Sequence, residues 1–383
     1  MGTSRVFTQG NGAASNSNKQ IEKNEQMISM PSHTFLEQQD AIQTTRTASQ
    51  LDFQPQRRRF LGAASSLAMA AGWLSLAGCT GKEEPGLRIA TNQWIGYELL
   101  YLGQELAAKD APADYQRIRL IELLSNTDSL QALAAGTVDG AGLTLDEAIT
   151  ARAAGLDLKI VLVFDISAGA DVLLARPGID RLDQLKGKSI GVEQTGVGAL
   201  MLDAAKKQAG LARGDVHVIS MTADQHLAAF KQGKVDALVT FEPIASQIIA
   251  AGGQPLFDSR AIPGGIVDVL AITGKALADN PNTLRTLLTR YFSALNYLQQ
   301  QPEDATRRMA PRLGLTPAGV QAGYARLILP DLAENYRLLG GVPAPLEATA
   351  TQLAALMLRE KLLAREIDVK QFFATDSLPE LES

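Results

Sequence analysis

Eight carboxylates stand at or near the ends of apolar runs: Glu98, Asp146, Glu147, Asp165, Asp171, Glu193, Glu242 and Asp268. Basic residues are nearly absent from the same segments, Arg260 being the exception. Gathered in one cleft, such acids suit an amine-bearing or cationic partner, because a desolvated carboxylate is costly unless it is paired. Asp146, Glu147 and Glu242 also have a plainer use at helix starts, where the dipole makes each worth about 0.3–1 kcal/mol. That use does not extend to Asp165, Asp171 or Asp268, which fall at strand ends or in a returning segment. Trp94 and Tyr97, in the loop Asn92–Tyr97 around Gly96, offer flat apolar faces with polar tips. They either stack on a small planar solute or pack against a sheet edge.

Short polar side chains complete the candidate set. Ser125 and Asn126 follow one strand pattern and Thr144 another, each at a helix start, so helix capping competes with ligand binding. Ser167 lies between Asp165 and Asp171, a stretch less easily read as a cap. Thr195 and Gly196 belong to Glu193–Gly198, whose glycines let backbone N–H groups approach a ligand. This segment is no dinucleotide fingerprint, since Met201 stands at the third glycine position, and it lacks the Gly-Lys-Ser/Thr of a phosphate-binding loop. Covalent and metal chemistry find no footing. The three histidines, His33, His217 and His226, are isolated, and neither a Gly-x-Ser-x-Gly nor a His-Glu-x-x-His occurs. Reversible binding without catalytic residues, metal or cofactor is what these residue types support.

The elements that carry these residues follow from hydrophobic periodicity. Strands are expected at 87–90, 118–124, 138–143, 158–164, 189–193, 216–220, 235–240 and 266–272. Helices are expected at 97–109, 128–135, 146–154, 197–209, 224–232 and 243–251, with an almost purely helical run over 282–364. This alternation predicts parallel strands with crossover helices, an α/β layer fold. Leu133-Ala-Ala-Gly-Thr-Val-Asp139 is echoed by Phe230-Lys-Gln-Gly-Lys-Val-Asp236, in each case a helix ending at a left-handed Gly before a strand. The echo implies two similar lobes that hold a ligand between the carboxyl ends of their strands. A net charge of −5 and the lack of any Lys/Arg-rich block beyond the first 60 residues exclude a nucleic-acid partner.

Ahead of the lobes, residues 1–56 read as a disordered Ser/Thr/Asn/Gln-rich leader, shortened if the true start is Met27 or Met30. Arg57-Arg-Arg-Phe-Leu61, an apolar run and Leu76-Ala-Gly-Cys79 form the charged, apolar and small-residue parts of an export signal, followed by a linker over 80–86. Cys79 is the only cysteine, so no internal disulfide forms. The arginine motif resembles a twin-arginine signal and the Leu-Ala-Gly-Cys end resembles a bacterial lipoprotein box. That resemblance implies lipidation of Cys79, membrane attachment through the lipid, and a place outside the cytoplasmic membrane.

The segment LRIATNQWIGYELLYLGQEL at 87–106 resembles the first strand and helix of solute-binding proteins of nitrate-, sulfonate- and taurine-type ABC importers, a group that includes thiamine-pyrimidine precursor binders. Gly136–Asp139, Lys186–Glu193 and Gly233–Asp236 running into Phe241-Glu-Pro243 extend it. The resemblance implies a two-lobed type II periplasmic binding protein fold with a helical C-terminal region. One lobe would take 87–177 and 268–383, and the other 178–267. It further implies a monomer that passes a small solute to permease and ATPase subunits. Enzymes of dehydratase or pyrimidine-synthase type use the same fold, and a ligand-sensing subunit of a receptor is a further alternative. The export signal speaks against an enzyme with cytoplasmic substrates.

Processing is directly testable. Intact-mass analysis of the membrane fraction should give a chain starting at a diacylglyceryl-modified Cys79, and Cys79→Ala should leave an unlipidated precursor. An unmodified chain starting elsewhere would refute the lipidation. Replacing Arg57, Arg58 and Arg59 by Lys should block the twin-arginine route, whose machinery reads arginine pairs.

Overall fold

The computed structural model describes residues 86–107, 117–193 and 196–381. The expected leader, export signal with Cys79, most of the linker, and Thr195 lie outside the described residues. Two mixed sheets form. In chain order the strands are β1 (Leu87–Thr91), β2 (Ile118–Glu122), β3 (Gly140–Thr144), β4 (Leu158–Ser167), β5 (Asp171–Ala175), β6 (Ser189–Val192), β7 (His217–Ser220), β8 (Ala237–Phe241), β9 (Gln254–Asp258), β10 (Val267–Thr273) and β11 (Leu327–Ile328). The first sheet runs β11-β4-β10-β3-β1-β2 and the second β7-β6-β8-β5-β9.

The helices are α1 (Glu98–Ala107), α2 (Asn126–Ala134), α3 (Leu145–Ala153), α4 (Gly196–Ala209), α5 (Ala223–Lys231), α6 (Ile244–Ala250), α7 (Gly274–Asp279), α8 (Pro281–Gln300), α9 (Pro302–Leu313), α10 (Pro317–Tyr324), α11 (Leu332–Leu339) and α12 (Pro345–Arg359). Each sheet is covered on both faces because its strands are apolar on both. In β10, Leu270 and Ile272 face α1 and α8, while Val269 and Ala271 face α3 and α12. In the second sheet Leu173, Ile190 and Val239 pack on α4, and Val172, Leu174 and Leu238 on α5 and α6.

Three expectations change. The sheets are not all parallel: β10 pairs antiparallel with β3 and β4, and β5 antiparallel with β8 and β9. These are the strands next to the passages between lobes, where no crossover helix intervenes to reset direction. The boundary expected at residue 177 moves back, since β5 already belongs to the second sheet and the chain crosses over at 168–170. Finally, β9 escapes the periodicity. Its Pro255 has no N–H to give a ladder, which only an edge strand tolerates, and β9 is the edge.

The sequence echo has a structural meaning. Gly136 and Gly233 adopt φ of 67° and 69°, the left-handed conformation that ends α2 and α5. Three residues on, Asp139 Oδ2 accepts from the N–H of Arg88 at 2.8 Å, and Asp236 Oδ2 accepts from the N–H of Ser189 at 2.8 Å. In each lobe the Asp therefore ties the start of one strand to the start of its neighbour, fixing β3 against β1 and β8 against β6.

The free side of β4 is closed in pieces. β11 pairs with Ile166 and Ser167. Further along, the Asn335 carboxamide from α11 replaces a strand: its Oδ1 accepts from Val163 N–H at 2.7 Å and its Nδ2 donates to Val163 O at 3.2 Å. Ile160 N–H then donates to Phe372 O at 2.7 Å, and Ala374 N–H to Ile160 O at 2.9 Å. Asn335 is fully buried. Asn335→Ala should therefore strand both backbone groups of Val163 and cost about 2–4 kcal/mol in chemical denaturation. Loss of less than about 0.5 kcal/mol would mean that water or a neighbour replaces the amide.

Candidate functional site

The loop after β1 reaches back over the end of β4. Trp94 N–H donates to Asn92 Oδ1 at 2.8 Å, which aims the indole so that its Nε1–H donates to Asp165 Oδ2 at 3.0 Å. Gly96 lies beneath this bond; a Cβ there would come within 1.9 Å of Asp165 Oδ2, so only glycine fits. Tyr97 is held in an aromatic ladder, 5.0 Å from Phe164, whose own ring lies 5.4 Å from Tyr291. Its hydroxyl donates to Asp268 Oδ1 at 2.8 Å.

Asp165 and Asp268 are partners across the β4–β10 ladder, and both are buried. Each has one oxygen engaged by an aromatic donor and one, Asp165 Oδ1 and Asp268 Oδ2, with no donor among the described residues. Burial lifts the Asp165 carboxyl to about 8 against the Trp94 bond, with the Asp171 charge adding to the rise. Asp268 is pushed well above the carboxylate range by burial, then by the charges of Asp165 and Asp171. Around neutral pH the pair retains a proton that the two carboxyls share. Asp171 is raised to about 7 and Asp146 to about 6, burial being the main cause for both.

Between the two sheets is a small cavity of about 30 Å³, close to the space of a single water. From the first lobe it is lined by Trp94, Tyr97, Asn126, Thr144 and Asp268, and from the second by Asp171, Glu193, His226, Thr240 and Phe241, among others. No Lys or Arg is among the described lining residues. Burial lowers His226 to about 4, so the ring is neutral, with Nδ1 3.0 Å from Thr240 Oγ1. Trp94 meets Phe241 of the other lobe edge-to-face at 5.7 Å.

The other sequence candidates serve the frame around this cavity. Ser125 caps α2, its hydroxyl accepting from Asp128 N–H at 3.0 Å. Asn126 accepts from Asn92. Thr144 opens α3 and its N–H donates to Glu147 Oε2 at 3.0 Å. Ser167 shares a 2.7 Å hydrogen bond with Ser259, joining the two segments that pass between lobes. Asp165 is behind Trp94 rather than in the lining. Glu242 pairs with Arg326 at 2.8 Å and accepts from Ser246 of α6, and Glu98 pairs with Arg312 at 2.5 Å. Both are thereby satisfied by protein.

Two acids reach across to the opposite lobe. Glu193, at the end of β6, accepts through Oε1 from Thr127 N–H at 3.0 Å and Thr127 Oγ1–H at 2.7 Å, in the first turn of α2. Asp146, in the first turn of α3, lies against the start of α4, where a Cβ on Gly196 would be 1.5 Å from its Oδ2. Glu193 and Asp171 were visible in the sequence only as two acids among eight. His226 gave no signal beyond being isolated, because its role as a neutral lining group comes from burial alone.

A family model described as the NMT1-like family matches residues 80–314. The putative aliphatic sulfonates-binding protein of Escherichia coli (strain K12) is 28% identical over 290 residues, covering 72% of this chain and 86% of that one. Among solved structures, the ligand-binding component of an ABC-type import system from Staphylococcus aureus superposes with a TM-score of 0.65 at 16% identity, covering 76% of this chain and 97% of that one. The periplasmic aliphatic sulphonate binding protein SsuA from Escherichia coli gives a TM-score of 0.61 at 22% identity, over 78% of this chain and 95% of that one. The two sheets with a cavity between them are thus the periplasmic binding protein fold, and the chain belongs to the NMT1-like family.

Proposed function

We propose that this protein is the solute-binding component of an ABC importer. It works as a monomer outside the cytoplasmic membrane, held there by lipid on Cys79, and delivers its solute to permease and ATPase subunits. It does so by reversible binding, without covalent chemistry. The family and the two-lobed fold support that role, and the cavity at the strand ends is the natural solute site. A cavity of about 30 Å³ admits no solute while the lobes stay together, so binding requires them to part and close again about the passages at 168–170 and 259–266.

The solute we infer is a small nitrogenous cation or amine with several N–H donors, stacked on Trp94 and Tyr97. One observation carries this: the described lining holds the carboxyls of Asp171, Glu193 and Asp268, with Asp165 and Asp146 close behind, and no Lys or Arg, its one histidine being neutral. The bacterial relative named for aliphatic sulfonates takes an anion. An anion here would find carboxyl groups and no Lys or Arg to receive it, whereas a cation would draw Asp171 into its ionised form and supply the partner that Asp171 Oδ2 and Asp268 Oδ2 lack among the described residues.

A thermal-shift panel tests the sign of the ligand. Amines, amidines and aminopyrimidines should raise the melting temperature, a ligand at 100 times its dissociation constant adding about 2.7 kcal/mol. Taurine, alkylsulfonates and nitrate should do nothing. Stabilisation by sulfonates but not by amines would sink the acidic-site reading.

pH gives a second check. Folding raises Asp146, Asp171 and Asp165 to about 6, 7 and 8, so the stability linked to their protons is full below about pH 4 and lost as pH rises through those values. The unliganded melting temperature should thus fall between pH 5 and 8 by this contribution, while amine affinity rises over the same window. Asp165→Asn and Asp171→Asn should flatten both trends. An amine affinity that is flat across this window would refute the role of these carboxyls.

A further inference from the structure

We infer that Glu193 is the latch that holds the two lobes together over the solute. Its carboxylate is 5% exposed and divides its oxygens between two tasks. Oε1 takes both the N–H and the hydroxyl of Thr127, from the opposite lobe, at 3.0 and 2.7 Å. Oε2 is buried in the cavity wall and receives no hydrogen bond of good geometry, although the Ala223 N–H at the start of α5 is near enough to favour the ionised carboxyl. The acceptor is a carboxyl at the start of α2, where free N–H groups and the helix dipole favour its ionised form, while burial raises its pKa against the Thr127 bonds.

The other bonds across the lobes are less suited to this task. Arg326–Glu242 adjoins the passage between lobes, since Glu242 N–H donates to Ala170 O at 3.2 Å and Ala168 N–H to Arg326 O at 2.8 Å. Lys207–Glu360 spans 3.7 Å between an exposed lysine and a half-buried glutamate, a long and solvent-screened pair that counts for little. Glu193 alone among these hydrogen-bonded and ion pairs lines the cavity, so it is the cross-lobe hydrogen bond that a bound solute touches directly, beside the apolar Trp94–Phe241 contact. The inference rests on the solute-binding reading for what Oε2 meets, but the latch itself can be measured without any solute.

The full chain carrying Cys79→Ser, Arg119→Cys and Lys231→Cys places a spin label on an exposed site of each lobe. Pulsed dipolar spectroscopy then reads the lobe separation. In that background Glu193→Ala should lower the closed-to-open ratio by about tenfold, two cross-lobe hydrogen bonds being lost. Thr127→Val should act in the same direction but less, because its N–H remains. Gly196→Ala, which drives a Cβ into Asp146, should open the lobes and proves the sensitivity of the label pair. Glu334→Gln, on the surface of α11, should change nothing. Melting temperatures within a few degrees of the parent would show that the shift in separation is not general unfolding. If Gly196→Ala opens the lobes while Glu193→Ala and Thr127→Val leave the parent distribution, Glu193 is not the latch. Because no solute is present, that result is independent of whether amines or sulfonates bind.

Discussion

Burying carboxyl groups where no cation is at hand is the constraint on which the centre of this molecule depends. Asp165 and Asp268 face each other in the β4–β10 ladder, just where the chain leaves the first lobe and where it comes back. Two ionised carboxylates there would repel with little water to screen them. The arrangement that removes the conflict uses an indole N–H on one side, a phenol on the other and pKa values that burial raises towards the neutral form. Trp94 and Tyr97 are therefore structural donors and cavity walls at once. Their position is fixed by a glycine that nothing larger can replace and by a ladder of aromatic rings running back to α8.

The same constraint organises the contact between lobes. Each lobe sends an acid to the first turn of a helix in the other: Glu193 to α2 and Asp146 to α4. The echo at Gly136–Asp139 and Gly233–Asp236 shows that the lobes are built alike, and each presents a helix start to an acid of the other. Negative groups at positive helix ends give a closed arrangement without burying any Lys or Arg in the described lining. The cavity is left with carboxyl groups and no Lys or Arg among its described lining.

Much of this was legible in the sequence. The β1 strand, the loop at Asn92–Tyr97, the echo and the acidic junctions could be read because each is local: a periodicity, a glycine, a cap. What could not be read depends on pairing at a distance. β5 follows β4 after only a short bend, so its apolar run looked like part of the first lobe until its partner β8 was known. The strand β9 was hidden by Pro255, acceptable only because nothing pairs on its outer side. Asp165 and Asp171 looked equivalent by position, yet one backs an indole and the other lines the cavity. Glu242 shows the opposite case, since an acid at a helix start gives no hint that an arginine 84 residues further on will neutralise it.

The piecewise closing of β4 bears on the order in which the chain can fold. The second sheet is drawn from one continuous stretch, β5 to β9, and can assemble as soon as that stretch has been synthesised. The first sheet cannot. It waits for β10, then for Asn335, and at last for the backbone of Phe372–Ala374 against Ile160. Until those residues leave the ribosome, a long apolar strand has an open edge, the kind of surface on which nascent chains pair wrongly. The segment 372–374 thus acts as a seal: its pairing with Ile160, rather than the formation of either lobe, closes the edge of β4.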